Sequence, residues 1–350
     1  MKQGRTRIFA GITQCCRAFG AAALSFILAS ALLLAGCGSS GEGSDSSGTA
    51  GASGASATPQ ATKVVIGTMV TEDILPMWVA EEEELFTEQG LDVTIETFQS
   101  AQELSTAVVS GAVDIVMTDI VVAANINASG TPVTMEWVTL GTTADQGRFG
   151  VMTSPESGIK SVEELAGKPV GVVSCTMLEY VIDNLLEEAG LSEDEIATEE
   201  IRKVPVRYEM MASNQVAAAA LPGSLLSLGE ATGMVLLADD STGKNLSYSV
   251  MVVRNDLAQT ASGIAMVEKL AGIWDTAVER INKNPESYRG LLVEKAQLPE
   301  IVKDSYKIST YPTVERPRQD LVDPILNWMH EKGYLESELT YDYKTGSFNS

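Results

Sequence analysis

Residues 158–171 read GIKSVEELAGKPVG, and the organisation of the chain turns on this stretch and the residues after it. Ser161 and Glu164 stand three residues apart ahead of an apolar position. That is the spacing of a capping box, in which a hydroxyl and a carboxylate satisfy the free N–H groups of a helix start. They predict a short helix. The β-branched run 169–173 then predicts a buried strand, and 176–189 a helix that Gly190 stops. Ser192 with Glu195 repeats the capping signal. Further strands are expected at 201–206, 216–221, 234–237 and 248–254, with helices from about Tyr208 and Leu225 between them.

Upstream the same alternation is already running. Residues 63–69 (KVVIGTM) form a β-branched run, 74–88 a helix, and 91–98 alternates like a half-buried strand. Helix at 101–110, strand at 114–118, helix at 120–128 and strand at 133–140 complete the series. Strands that alternate with helices imply an α/β fold with a mostly parallel sheet covered on both faces. After Asp256 helix signals dominate, at 263–284, 286–295, 299–307 and 319–332.

The beginning of the chain carries a different signal. Lys2, Arg5, Arg7 and Arg17 are basic, no acidic residue precedes position 42, and 18–36 is almost wholly apolar, the layout of a secretory signal. The run is long enough to raise the possibility of a membrane helix. It ends in Leu34-Ala35-Gly36-Cys37, however, which resembles the bacterial lipobox. That resemblance implies acylation of the Cys37 sulfur and removal of residues 1–36. Two or three acyl chains anchor a protein stably where one does not, so the chain is expected on the extracytoplasmic face of the cell membrane. Residues 37–62, rich in Gly, Ser, Ala and Thr, predict a disordered linker. The remainder of the chain is long enough for two globular halves. Cys175 is then the one cysteine left in the body, so no internal disulfide is expected.

The chain has 24 basic and 47 acidic residues, a formal charge of −23. Such a surface repels phosphate backbones and anionic head groups. Nucleic acid is therefore excluded as an expected partner, and membrane attachment falls to lipid. The acidic runs at 81–84 and 193–200 adjoin helix signals and read as solvated faces.

Several segments together resemble the extracytoplasmic solute-binding proteins of ABC importers, in the sulfonate, pyrimidine and nitrate branch (SsuA/THI5-like, NMT1). They are 86–93 (FTEQGLDV), 110–115 (SGAVDI), 158–171 and 214–222 (NQVAAAALP). The resemblance implies a two-lobed, type II periplasmic-binding-protein-like fold with two mixed sheets flanked by helices. Lobe 1 would comprise 63–145 with 255–350, and lobe 2 would comprise 150–245, with 146–153 and 246–254 as hinge strands. It also implies a monomer that captures a small organic solute, sulfonate-, pyrimidine- or amino-acid-like, and passes it to permease subunits. No cofactor and no metal are expected.

In open parallel sheets ligands bind at the carboxyl ends of strands, where helix starts present free N–H groups. The loops expected there supply Thr71, Pro76, Ser100, Thr118 and Asp119 from the first half, and Ser174, Thr176, Met177, Pro222 and Ser224 from the second. Thr71, Ser100 and Thr176 also fit plain capping roles. Gly223 stands where many relatives have an acidic residue. Basic residues are scarce in these loops: Arg148 and Arg207 are nearest, and Arg207 is expected to pair with acids on the surface. A multiply charged anion is disfavoured, although a helix start could hold one carboxylate or sulfonate. Trp78 and Trp137 read as core residues rather than stacking platforms.

Two other readings share the fold. A pyrimidine-precursor synthase resembling this architecture consumes its own histidine, but His330 lies in a late helix away from the candidate loops. Cys175 has no evident base to activate it, and no nucleotide or zinc motif occurs. No enzyme is expected. A solute-sensing lipoprotein would have the same cleft as an importer subunit.

Overall fold

A computed structural model describes residues 62–242 and 246–349. The signal segment, Cys37 and the linker up to residue 61 lie outside them. The described chain opens with β1 (Thr62–Met69) and a 3-10 turn, then α1 (Leu75–Glu82) and α2 (Leu85–Glu88). One helix was expected here; Glu84, at φ 58°, adopts the left-handed geometry that ends the first before the second starts. Next come β2 (Leu91–Phe98), α3 (Ala101–Val109), β3 (Ile115–Asp119), α4 (Ile120–Ala128) and β4 (Val133–Leu140). The second series runs β5 (Phe149–Thr153), β6 (Pro169–Val172), α5 (Met177–Glu188), β7 (Ala197–Glu200), α6 (Val204–Ala212), β8 (Ala218–Pro222), α7 (Gly223–Ala231) and β9 (Val235–Asp239). The chain ends with β10 (Ser249–Arg254), α8 (Asn255–Ala258), α9 (Ala261–Lys283), α10 (Arg289–Lys295), α11 (Gln319–Glu331), β11 (Thr340–Asp342) and β12 (Ser347–Asn349).

Among the described residues these strands form two mixed sheets, ordered β11-β12-β4-β10-β3-β1-β2 and β7-β6-β8-β5-β9. Parallel pairs β1–β2, β1–β3, β6–β7 and β6–β8 come from the strand–helix alternation, while β10 and β5 run antiparallel inside their sheets. The fold is the two-lobed α/β architecture that the sequence implies. The stretches expected to be hinge strands are each internal to one sheet. Among the described residues the chain passes between the sheets at 141–148 and at 240–242 and 246–248, overlapping the first residues of those stretches.

Three local expectations are corrected. The strand at 201–206 lies at Ala197–Glu200 instead, a polar edge strand whose acidic residues hide it; Pro205 then occupies the first turn of α6. The helix at 299–307 shrinks to the 3-10 turn Glu300–Val302. The Ser161/Glu164 helix is only the 3-10 turn Glu163–Leu165, with Glu164 accepting from the Lys160 N–H at 2.9 Å. Ser192 and Glu195 do form their capping box. The β11–β12 hairpin had no expectation attached to it.

Apolar side chains pack in three clusters. One packs the first sheet against α1 and α9 and contains Trp78, Trp137 and Trp274; Trp137 and Trp274 meet at a tilt of 54° with centroids 6.0 Å apart. A smaller one joins the second sheet to α6 and α7. The third is continuous across both halves, combining α4 and α11 with α5, β5 and β6. Arg207 is buried rather than on the surface: Nη1 donates to the Ala220 carbonyl at 2.7 Å, and Nε and Nη2 donate to that of Ile201. Burial pushes its pKa down to about 10.

The two inter-sheet passages touch. Gly141, at φ 105°, begins the first, and a Cβ there would lie 2.3 Å from the Ser247 carbonyl oxygen of the second. Gly141→Ala therefore combines a backbone conformation unfavourable to L residues with a backbone collision. Strain of this kind costs about 1–3 kcal/mol, and urea denaturation of the variant should show a loss of at least that size.

Candidate functional site

Strand ends from both sheets meet at the passages. β3 finishes with Thr118 and Asp119, paired with Val250 and Ser249 at the start of β10. In the second sheet Phe149, the first residue of β5, pairs with Pro222, the last of β8. A crevice of about 90 Å³ lies here, lined among others by Met69, Thr71, Glu72, Asp73, Thr118, Asp119, Arg148, Phe149, Pro222 and Tyr248. A larger groove of about 540 Å³ runs between α2 and α9. It is the strand-end crevice, with contributions from both sheets, that has the placement of a ligand site in this kind of fold.

Four expected residues line the crevice: Thr71, Thr118, Asp119 and Pro222. Asp119 also caps α4, its carboxylate accepting from the Val122 N–H at 2.8 Å. The other six lie elsewhere. Pro76 is buried in the first turn of α1, and Ser100 caps α3 by accepting from Glu103 N. Ser224 is in the first turn of α7. Ser174, Thr176 and Met177 surround the start of α5, which abuts α4: the Asn125 side-chain amide donates to Cys175 Sγ at 3.1 Å. Thr176 caps α5 by accepting from Glu179 N, and Met177 is buried. That corner belongs to the seam between the halves, with Cys175 buried and Ser174 and Thr176 half-buried. Glu179 there accepts from Cys175 N at 2.6 Å and from the Tyr334 hydroxyl.

Two of the lining residues that the sequence did not single out are acidic. Glu72 and Asp73 open the 3-10 turn that follows β1 after Val70 and Thr71. Tyr306 donates its hydroxyl to the Glu72 carboxylate, and Tyr311 donates to the Glu72 carbonyl at 2.8 Å. Opposite, Arg148 donates from Nε to Asp239 at 2.6 Å and from both terminal nitrogens to the two oxygens of Glu230, each at 2.9 Å. Its charge is consumed within its own half. Nearby, the buried Asp240 accepts from the N–H groups of Phe149 (2.7 Å) and Ser247 (3.0 Å), joining the ends of both passages. The adjacent pair Glu72-Asp73 between a strand and the Leu-Pro start of a helix was the one sequence signal for this wall.

With the geometry set out, similarity to known proteins adds the lineage. The family model described as "NMT1/THI5 like" matches residues 71–286, more than half of the chain. The chain belongs to the NMT1/THI5-like family. Among solved structures, this family member is similar to the alkanesulfonate-binding protein SsuA from Xanthomonas axonopodis pv. citri bound to MOPS. The two share 17% identity at a TM-score of 0.68, over 80% of this chain and 96% of that one. The aliphatic sulphonate binding protein SsuA from Escherichia coli gives 16% and 0.67, over 79% and 94%. The desulfurization enzyme DSZB gives 15% and 0.60, over 79% and 94%. Identities this low establish the fold alone. No curated protein sequence matches.

Burial pushes the Asp73 carboxyl up to about 7, helped by the neighbouring Glu72 charge and opposed by a Ser249 hydrogen bond. Asp119 is pushed up to about 6, again by burial, against the Val122 and Val121 N–H groups. Glu179 rises to about 7 by burial, against its Tyr334 and Cys175 donors. All three hold protons more tightly folded than unfolded, so their stabilising contribution is complete near pH 4 and is lost as pH rises through 6 and 7. The melting temperature should fall between about pH 5 and pH 8. Asp73→Asn should flatten that decline, as scanning calorimetry across the range would record.

Proposed function

We propose that this chain is a solute-binding lipoprotein of an ABC importer, without enzymatic activity. It captures a small organic molecule between two lobes and delivers it to a membrane permease. The observation that carries the reading is the crevice itself. It lies at the carboxyl ends of strands from both sheets, beside both inter-sheet passages, where a bound solute bridges the halves and shifts their equilibrium toward closure. Membership of the NMT1/THI5-like family and the fold likeness to the SsuA proteins support it. The lobes are taken as 63–145 with 255–350, and 150–245, moving as a monomer about the passages. Thr71, Thr118, Asp119 and Pro222 are the assigned solute contacts. The likeness to DSZB keeps an enzyme on this fold as the alternative. Against it, Cys175 is buried with its sulfur beside the Asn125 amide, away from the crevice.

Native mass spectrometry of the protein purified from its producing cells should reveal a co-purifying small molecule, released intact on denaturation. A covalently altered product, or turnover of the released molecule, would favour the enzyme instead. Membrane attachment through an acylated Cys37 has its own test: Cys37→Ser should abolish incorporation of labelled palmitate and leave the leader uncleaved. Unchanged labelling would refute the anchor.

A further inference from the structure

We propose that the solute is a small organic cation, an ammonium group carried on a short apolar body, rather than a sulfonate or another anion. The inference deepens the solute-binding reading above and rests on it. It stands on the lining of the crevice. Glu72, Asp73 and Asp119 are all among the residues lining a space of about 90 Å³, and Arg148 is the cationic residue of that lining. Arg148 cannot serve as an anion clamp. Its Nε and both terminal nitrogens already donate to Asp239 and Glu230, so two carboxylates answer its one charge. Arg207, the other arginine that the sequence placed near the site, is buried on backbone carbonyls.

The neutral walls select the body of the ligand. Met69, Met117, Leu140, Phe149 and Tyr248 line the same space. Aromatic faces and thioethers suit an alkylammonium, whose charge is spread over carbon-bound hydrogens, and not a bare metal ion, which demands converging oxygen ligands. The negative charge of the whole chain adds a long-range bias in the same direction. An anion such as a sulfonate would have to displace two carboxylates from Arg148 in a space lined by three further acidic residues.

The groups around Asp73 are Glu72 beside it, Asp119 from the start of α4, the Ser249 hydroxyl from β10, and the Tyr306 and Tyr311 phenols. None of these brings a compensating positive charge. Burial keeps Asp73 and Asp119 partly protonated near neutrality, and an arriving cation would displace those protons.

The test is a thermal-shift series on the full-length chain in detergent, with choline and putrescine as cationic probes, methanesulfonate and nitrate as anionic ones, uracil as a neutral one and calcium as a metal. Choline or putrescine should raise the melting temperature by several degrees. Their apparent affinity should weaken at least tenfold from about pH 8 to pH 5.5 and in Asp119→Asn, a substitution that keeps the α4 cap. The unliganded melt of that variant verifies that it folds, and Asp73→Asn gives a second variant with the same expectation. Stabilisation by methanesulfonate, nitrate or uracil but by neither cation would overturn the charge assignment while leaving solute binding intact. Stabilisation by calcium alone would assign a metal site and overturn it as well. If no probe acts and native mass spectrometry finds nothing bound, the solute-binding reading fails and the inference falls with it.

Discussion

Two passages of chain between the sheets run side by side, and the structure depends on how they are held together. Asp240 accepts the N–H of Phe149 at the end of the first passage and the N–H of Ser247 near the end of the second. Gly141 lets the second passage approach the first closely enough for its carbonyl to fill the space of a side chain. Because buried backbone donors need partners, one carboxylate sets the spacing of two otherwise independent segments. Everything placed by those segments, from Arg148 and Phe149 to Tyr248 and Ser249, inherits that spacing.

The crevice and the rest of the seam are physically different. Around α4, α5 and α11 the halves share an apolar cluster, and the Asn125 amide reaches Cys175 at the α5 start. At the strand ends the lining turns polar, and carboxyl groups stay partly protonated because burial disfavours their charge. Apolar contact therefore brings the halves together in one region and leaves a small charged opening in another. Relative motion of the halves would expose the first and widen the second.

Much of this architecture was legible in the sequence. The strand–helix alternation gave β3, α4 and β4 with nearly the observed limits, because two short strand-like runs on either side of an apolar helix leave little ambiguity. The edge strand β7 was misplaced because an edge tolerates charge, so Ala197–Glu200 lacks the alternation that marks a half-buried strand. Of the crevice, the residues found were those that end parallel strands, where position alone points to a ligand. Arg148, Phe149, Tyr248 and Ser249 come from antiparallel strand starts, and no local pattern tells which end of such a strand will face the opening. Glu72 and Asp73 stand where acidic residues commonly open a helix, in the first turn of a 3-10 segment. Only the tyrosines that converge on Glu72 from far along the chain mark it as part of a site.

Those tyrosines bear on how the molecule matures. The acidic wall is encoded immediately after the first strand, yet Glu72 is held through its side chain by Tyr306 and through its backbone by Tyr311. During synthesis the wall emerges early and waits for donors made near the end. The opening can acquire its final shape only when the irregular segment between the Glu300–Val302 turn and α11 has docked, which makes that shape a property of the late-made chain and withholds it from any shorter nascent fragment.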